Sequence, residues 1–158
     1  MIYLTNHTVH TLMFHEDFSR NDAELRYPQT FSFSEDEEDS DQDETELEVK
    51  LIEDMNKLLS ATGIVAKKIM SLAELARVAS SIFVAIFESV YHTRIDEVIR
   101  NPITRSDYEH NAQLVIDRLS EQINSELSHI TGTMIVDGDV IALKNLVNIF
   151  NRIVSFTR

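Results

Sequence analysis

The stretch that most constrains this chain lies in its last third, where Ile130-Thr-Gly-Thr-Met-Ile-Val-Asp-Gly-Asp139 runs into a strongly amphipathic segment. Leu143, Leu146, Val147, Phe150, Ile153 and Val154 recur at helical spacing, so a helix ending near Phe156 gathers them into one apolar stripe that another element must cover. Asp139, just ahead of it, has the side chain to accept the first free amides of that helix. Met134, Ile135 and Val136 read as a short apolar triplet leading into an Asp-Gly-Asp turn. None of this is catalytic chemistry. It predicts the closing element of a small helical interaction domain.

The charge is lopsided. Residues 1–48 hold 2 basic and 14 acidic side chains, whereas residues 49–158 hold 12 basic and 13 acidic, so nearly all of the formal charge of −13 sits near the N-terminus. The remainder is close to neutral, which excludes a general nucleic-acid binder, because phosphate contacts need a surplus of Lys and Arg. The chain has no cysteine, which removes disulfides, Cys-based zinc sites and Cys nucleophiles together and suits a reducing cytoplasm. Its start lacks the basic, apolar and small-residue pattern of a secretory signal, and no apolar run approaches 18 residues, so no membrane span is expected.

Residues 1–30 show no sustained period. The run from Ser32 to Glu48 is dense in Asp and Glu, which repel one another and bury nothing, so a solvated, extended linker is expected there. Together these residues predict a disordered acidic arm over 1–44, followed by a folded domain over 45–158. Thr45 and Glu48 fit a capping box ahead of Leu47, Leu51, Ile52, Met55, Leu58 and Leu59, which predicts a first helix to about Ser60. Residues 64–70 fit either a short strand or a loop with buried anchors.

Ser71 and Glu74 form a second box. The helix behind it is apolar over more than half its circumference, through Leu72, Leu75, Ala79, Ile82, Phe83, Ile86, Phe87 and Val90, and should be the packed spine of the domain. Pro102 stops a short turn at 94–99. Ser106 and Glu109 give a third box ahead of Ala112, Val115, Ile116, Leu119, Ile123 and Leu127. The fold class this predicts is all-α.

Several blocks also carry a resemblance. Leu127-Ser-His-Ile-Thr-Gly-Thr-Met-Ile-Val-Asp-Gly-Asp139 with Leu143-Lys-Asn-Leu-Val-Asn-Ile-Phe150 resembles the C-terminal signature of calponin-homology domains, Phe150 standing where many members carry Trp. Phe83-Val-Ala-Ile-Phe-Glu88 and His110-Asn-Ala-Gln-Leu-Val-Ile-Asp-Arg-Leu119 resemble blocks of the N-terminal calponin-homology-like domain of the ninety-five-kilodalton centrosomal protein family. The likeness covers roughly residues 47–156, and nothing before Thr45 matches. It implies a calponin-homology-like helical domain and a non-enzymatic protein-interaction role in a centrosomal, spindle-pole or microtubule-associated scaffold. The setting it implies is the cytoplasm and cytoskeleton. It also implies protein partners, tubulin among them, and no cofactor.

Candidate site residues follow from charge. Lys67, Lys68, Arg77, Arg94, Arg100 and Arg105 could form a basic face of the kind that relatives at kinetochores and cilia turn toward acidic tubulin tails. With a near-neutral domain such contact should be weak and salt-sensitive. Ser32, Ser34 and Ser40 each have an acidic residue three positions on, which suits acidophilic kinases. The rival function is an acidic charge mimic or chaperone-like module that binds a basic partner through residues 31–48. His7, His10 and His15 have no carboxylate to complete a metal site and read as polar residues. His129 reads as a hydrogen-bonding residue of its turn. His110 lies near Asp107 and Glu109, yet no nucleophile–base pair or phosphate loop accompanies it, so no enzyme is predicted.

Overall fold

The computed structural model describes residues 26–157, with the side chains of residues 42–157. Five helices follow in order: α1 Arg26–Ala61, α2 Leu72–Tyr91, α3 Arg105–Ile123, α4 Gly132–Asp137 and α5 Val140–Phe156. Among the described residues there is no strand, and the fold class is all-α. No helix among them is long and apolar enough to cross a membrane. The described residues fall into two units, divided between Glu44 and Thr45.

In the first unit the described backbone is helical from Arg26. Between Pro28 and Gly63 the chain has neither Gly nor Pro, and Pro28 falls in the first turn, where its missing amide costs nothing. Thr45 and Glu48 therefore lie inside a continuous helix, and their box pattern marks no terminus. Residues 1–25 of the expected disordered arm lie outside the described residues.

The second unit is built on α2. Leu75, Ala79, Ser80, Phe83, Val84, Ile86 and Phe87 are all buried. The Phe83 ring stacks on Phe150 of α5 at 6.0 Å between centroids and 15° between planes. From α1, Leu51, Met55, Leu58 and Leu59 enter the same core, and α3 adds Ala112, Val115, Ile116 and Leu119. Offset ring pairs of this kind contribute about 0.5–1.5 kcal/mol beyond the area they bury.

Caps fix the register of each helix. Ser71 Oγ accepts from Glu74 N at 3.2 Å, while the Glu74 carboxylate reaches one residue further back, to Met70 N at 3.0 Å. The α3 box belongs to Thr104 and Asp107, two residues ahead of the Ser106/Glu109 pair that the sequence suggested. Asp107 Oδ2 accepts from both Ile103 N and Thr104 N at 2.9 Å, so the shorter acid closes the box earlier. Asp139 caps α5 as expected, accepting from Ala142 N at 2.9 Å.

The expected connector before α5 is itself helical. Thr131 caps α4, and Gly138 ends it in the left-handed region at φ 76°. His129 is exposed; the turn is held by Ile130 N donating to Leu127 O at 2.9 Å and by Thr131.

Two irregular segments are pinned by asparagines. Residues 64–70 form a loop, with Ile69 buried and its N and O both bonded to the Asn56 side chain, at 3.0 and 2.9 Å. Asn111, 2% exposed, does the same for Ile99, at 2.9 Å to N and 2.9 Å to O. Each amide side chain thus satisfies one donor and one acceptor of a segment that has no ladder of its own.

Gly132 has a different task from the tight turn its sequence suggests. A Cβ there would lie 2.2 Å from Glu109 O and 2.9 Å from Gln113 N, so its backbone sits directly against α3. Its amide donates to Gln113 Oε1 at 2.8 Å. Gly63, by contrast, has φ +70° and open space around it. Gly132→Ala should therefore cost about 1–3 kcal/mol by overpacking, or more where α4 cannot move, and Gly63→Ala about 1–2 kcal/mol from backbone strain. Denaturant midpoints of the two variants give the order, with Gly132→Ala the less stable.

Candidate interaction surfaces

Three of the six candidate cations, Lys67, Arg100 and Arg105, are ion-paired to carboxylates. Lys67 Nζ lies 3.4 Å from Glu74 Oε1 at the start of α2. Backbone donation from Met70 holds the Glu74 carboxyl below its ordinary range, against some desolvation, and the charges of Lys67 and Arg77 act in the same direction. Lys67 pairs with this carboxylate, and Arg77 acts on it only through its charge.

Arg100 pairs with another, Glu88 near the end of α2. Arg100 Nη2 sits 2.6 Å from Glu88 Oε1, Nη1 sits 3.0 Å from Oε2, and Nη2 also donates to Ile95 O at 3.0 Å. Ile95 N donates to Glu88 Oε1 at 2.9 Å. The Arg100 fork lowers the Glu88 pKa most; burial opposes it, and the Ile95 amide and the Arg94 charge add to it. The result is a clamp that holds the 92–100 segment with its buried Ile95 and Val98.

Arg105 belongs to a third group, pairing with Glu109 in α3 and Asp137 in α4, and its own pKa is raised first by Asp137 and then by Glu109. Lys68, Arg77 and Arg94 are exposed and, among the described residues, make no ion pair at contact distance. Arg100 and Arg105, in contrast, spend their forks on internal partners.

His110 Nε2 lies 3.2 Å from Glu97 O, and the neighbouring Asp107 is occupied by its capping amides. The side chains of Ser32, Ser34 and Ser40, and all of His7, His10 and His15, lie outside those described.

The sequence did not point to one concavity of the second unit. A groove of about 990 Å³ runs between the C-terminal half of α1 and the 64–72 segment. Ile52, Ile64, Ile69, Met70 and Leu72 contribute its apolar lining, with Glu48, Glu53, Lys57 and Lys68 among its charged residues. Ile52, assigned by spacing to the core stripe of the first helix, is only half-buried and faces this groove. Val49 and Met70 are 55% and 68% exposed. The signal available in the sequence was the pair Val49 and Ile52, which falls to one side of the Leu51–Met55–Leu58 stripe.

The Glu88 clamp has a pH signature. Its folded pKa is depressed, so its contribution is present above the unfolded carboxylate range and is lost as pH falls through the folded value. Glu88→Gln should lower stability at pH 7 by about 1–2 kcal/mol, after allowance for partial solvent exposure. Urea midpoints should show that deficit shrinking as the pH is taken down through the acidic range, because the wild-type carboxyl then also loses its charge.

Part of the chain matches a family model described as a domain of unknown function (DUF5745), over residues 95–153, from the Glu88-clamped segment into α5. It is also similar to the centrosomal protein of 95 kDa of Rattus norvegicus, at 36% identity over 78 residues that cover 49% of this chain and 10% of that protein. The Mus musculus protein of the same name is 33% identical over 88 residues, 55% of this chain and 11% of the relative. The chain thus spans about a tenth of the length of these curated relatives. No solved structure matches it.

Proposed function

We propose that this chain is a non-enzymatic protein-interaction domain of a centrosomal scaffold. The observation that carries this reading is the 33–36% identity to the centrosomal protein of 95 kDa over roughly half the chain. The geometry is compatible with docking: polar side chains at the loops are turned to holding backbone, and the exposed features are a groove and scattered cations. Within this reading the fold is of calponin-homology-like type, and the setting extends to the spindle pole.

The finer mechanism is contact with protein partners, including acidic tubulin tails, through Lys67, Lys68, Arg77 and Arg94. Arg100 and Arg105 contribute less, because a tubulin carboxylate would have to displace Glu88 or Glu109 and Asp137. Phosphates on Ser32, Ser34 or Ser40 would add negative charge to an already acidic run and so oppose that contact.

The reading is tested first in cells. A fluorescently tagged full chain should concentrate at foci that carry a centriole marker, and a folded chain spread evenly through the cytoplasm would overturn the centrosomal assignment. Microtubule co-sedimentation tests the finer mechanism. Pelleting of the full chain at low salt should fall as salt rises and drop severalfold in Lys67→Glu/Lys68→Glu. Pelleting that ignores both salt and the substitution would remove these cations from the account.

A further inference from the structure

The groove between α1 and the 64–72 segment has a chemistry that narrows what can lie in it. Ile52, Ile64, Met70 and Leu72 make it apolar along its length, and α1 advances about 20 Å from Glu48 to Ala61 beside it. Charges are sorted along that length. Glu48 and Glu53 flank the earlier part of the α1 stretch, and Lys57 lies beyond them toward the helix C-terminus. The loop runs back along α1, with Ile64 N bonded to Leu59 O and Ile69 held by Asn56 at both N and O. Lys68, next to Ile69, therefore joins Lys57 at the basic end. In the sequence ahead of the acidic end, residues 35–46 add nine acidic side chains and no basic one.

We propose that this groove binds an amphipathic α-helix of another protein, laid antiparallel to α1, with acidic residues in its first turns and basic residues in its last. An apolar trough of this length suits a helical guest, whose side chains at i, i+3 or i+4 and i+7 enter between the walls. Met70, unbranched and 68% exposed, can adjust its shape to those side chains from the loop. The last turns of the guest then lie against Glu48 and Glu53, and its first turns against Lys57 and Lys68.

Charge selects both the occupant and its direction. A uniformly basic segment would meet Lys57 and Lys68, and a uniformly acidic one Glu48 and Glu53, so each gains at one end and loses at the other. A helix carries acids best in its first turn and bases best in its last, because these offset its own dipole. The antiparallel direction sets that ordinary arrangement against the acid-to-base order of the groove, and the parallel direction puts like charges together at both ends. The existing partner of Lys57 is no obstacle: its 3.4 Å pair with Asp54 is made by a lysine side chain that is 71% exposed, and it yields at little cost. This surface goes beyond the one proposed for tubulin tails and shares only Lys68 with it.

The probes are two fluorescent synthetic peptides of about 14 residues and identical composition, each with leucines at helical spacing. One has glutamates in its first turns and lysines in its last, and in the other the two are exchanged. Both are stapled into helices, so neither loses affinity by fraying. Titrated with the full chain at physiological ionic strength and followed by anisotropy, the first should bind saturably and about tenfold or more tightly than the second. Met70→Asp, at an exposed position, should weaken the first peptide about tenfold. Glu48→Lys/Glu53→Lys/Lys57→Glu/Lys68→Glu should lose the preference between the two, with thermal unfolding followed by circular dichroism confirming that both variants fold. Absence of saturable binding, equal binding of the two peptides, or binding indifferent to these substitutions would each overturn the proposal. So would a dimer of the chain alone, seen by sedimentation, that Met70→Asp dissolves, since the groove would then belong to a second copy. No microtubule enters the titration, so its outcome stands apart from that of the co-sedimentation.

Discussion

A helix that is apolar on most of its surface can exist in water only if other elements cover it, and α2 imposes that condition on everything around it. Phe83 faces Phe150 of α5, and the two rings lie at the centre of the core. Ser80, the one buried hydroxyl of α2, donates to Tyr108 O at 2.7 Å and so fixes the start of α3 at close range without leaving a polar atom unpaired. At the far end, Ser89 Oγ donates to Thr62 O at 3.0 Å and ties the C-terminus of α1 to the same spine. Among the described residues no buried side-chain nitrogen or oxygen is left without a partner.

The second constraint concerns the segments between helices. Neither 64–70 nor 92–103 has regular hydrogen bonding, yet each sends apolar anchors (Ile69 in one, Ile95 and Val98 in the other) into the core. Burying those anchors brings backbone amides and carbonyls with them, and those must be satisfied. Asn56, Asn111 and Glu88 do so from the helices, and Arg100 does so for Ile95 O from within its own segment. This has a functional consequence. Arg100, which looks free in the sequence, is committed to Glu88 and to Ile95 O.

Helical periodicity made α2, α3 and α5 legible in the sequence, and the Ser71 and Asp139 caps with them, because these depend on residues a few positions apart. The all-α class followed from the same signals. What the sequence hid was set by contacts across the fold. Thr45-x-x-Glu48 and Ser106-x-x-Glu109 match a box pattern that nothing local can veto. Gly132 reads like a turn glycine until α3 is placed against it. Arg100 reads like an exposed cation until Glu88, twelve positions earlier, is brought to its fork. The α1 groove escaped notice because it is formed by a helix face and a loop whose positions no periodicity relates.

If α2 is the element on which the second unit depends, the unit must open as one. Native-state hydrogen exchange on the full chain, followed over a series of sub-denaturing concentrations, measures this directly. The account predicts that amides in the middle of α2, at the facing positions of α3 and around Phe150 in α5 exchange only through global unfolding, with one shared free energy and one denaturant dependence. Amides of α5 exchanging at a distinctly lower free energy, while α2 stays protected, would contradict it.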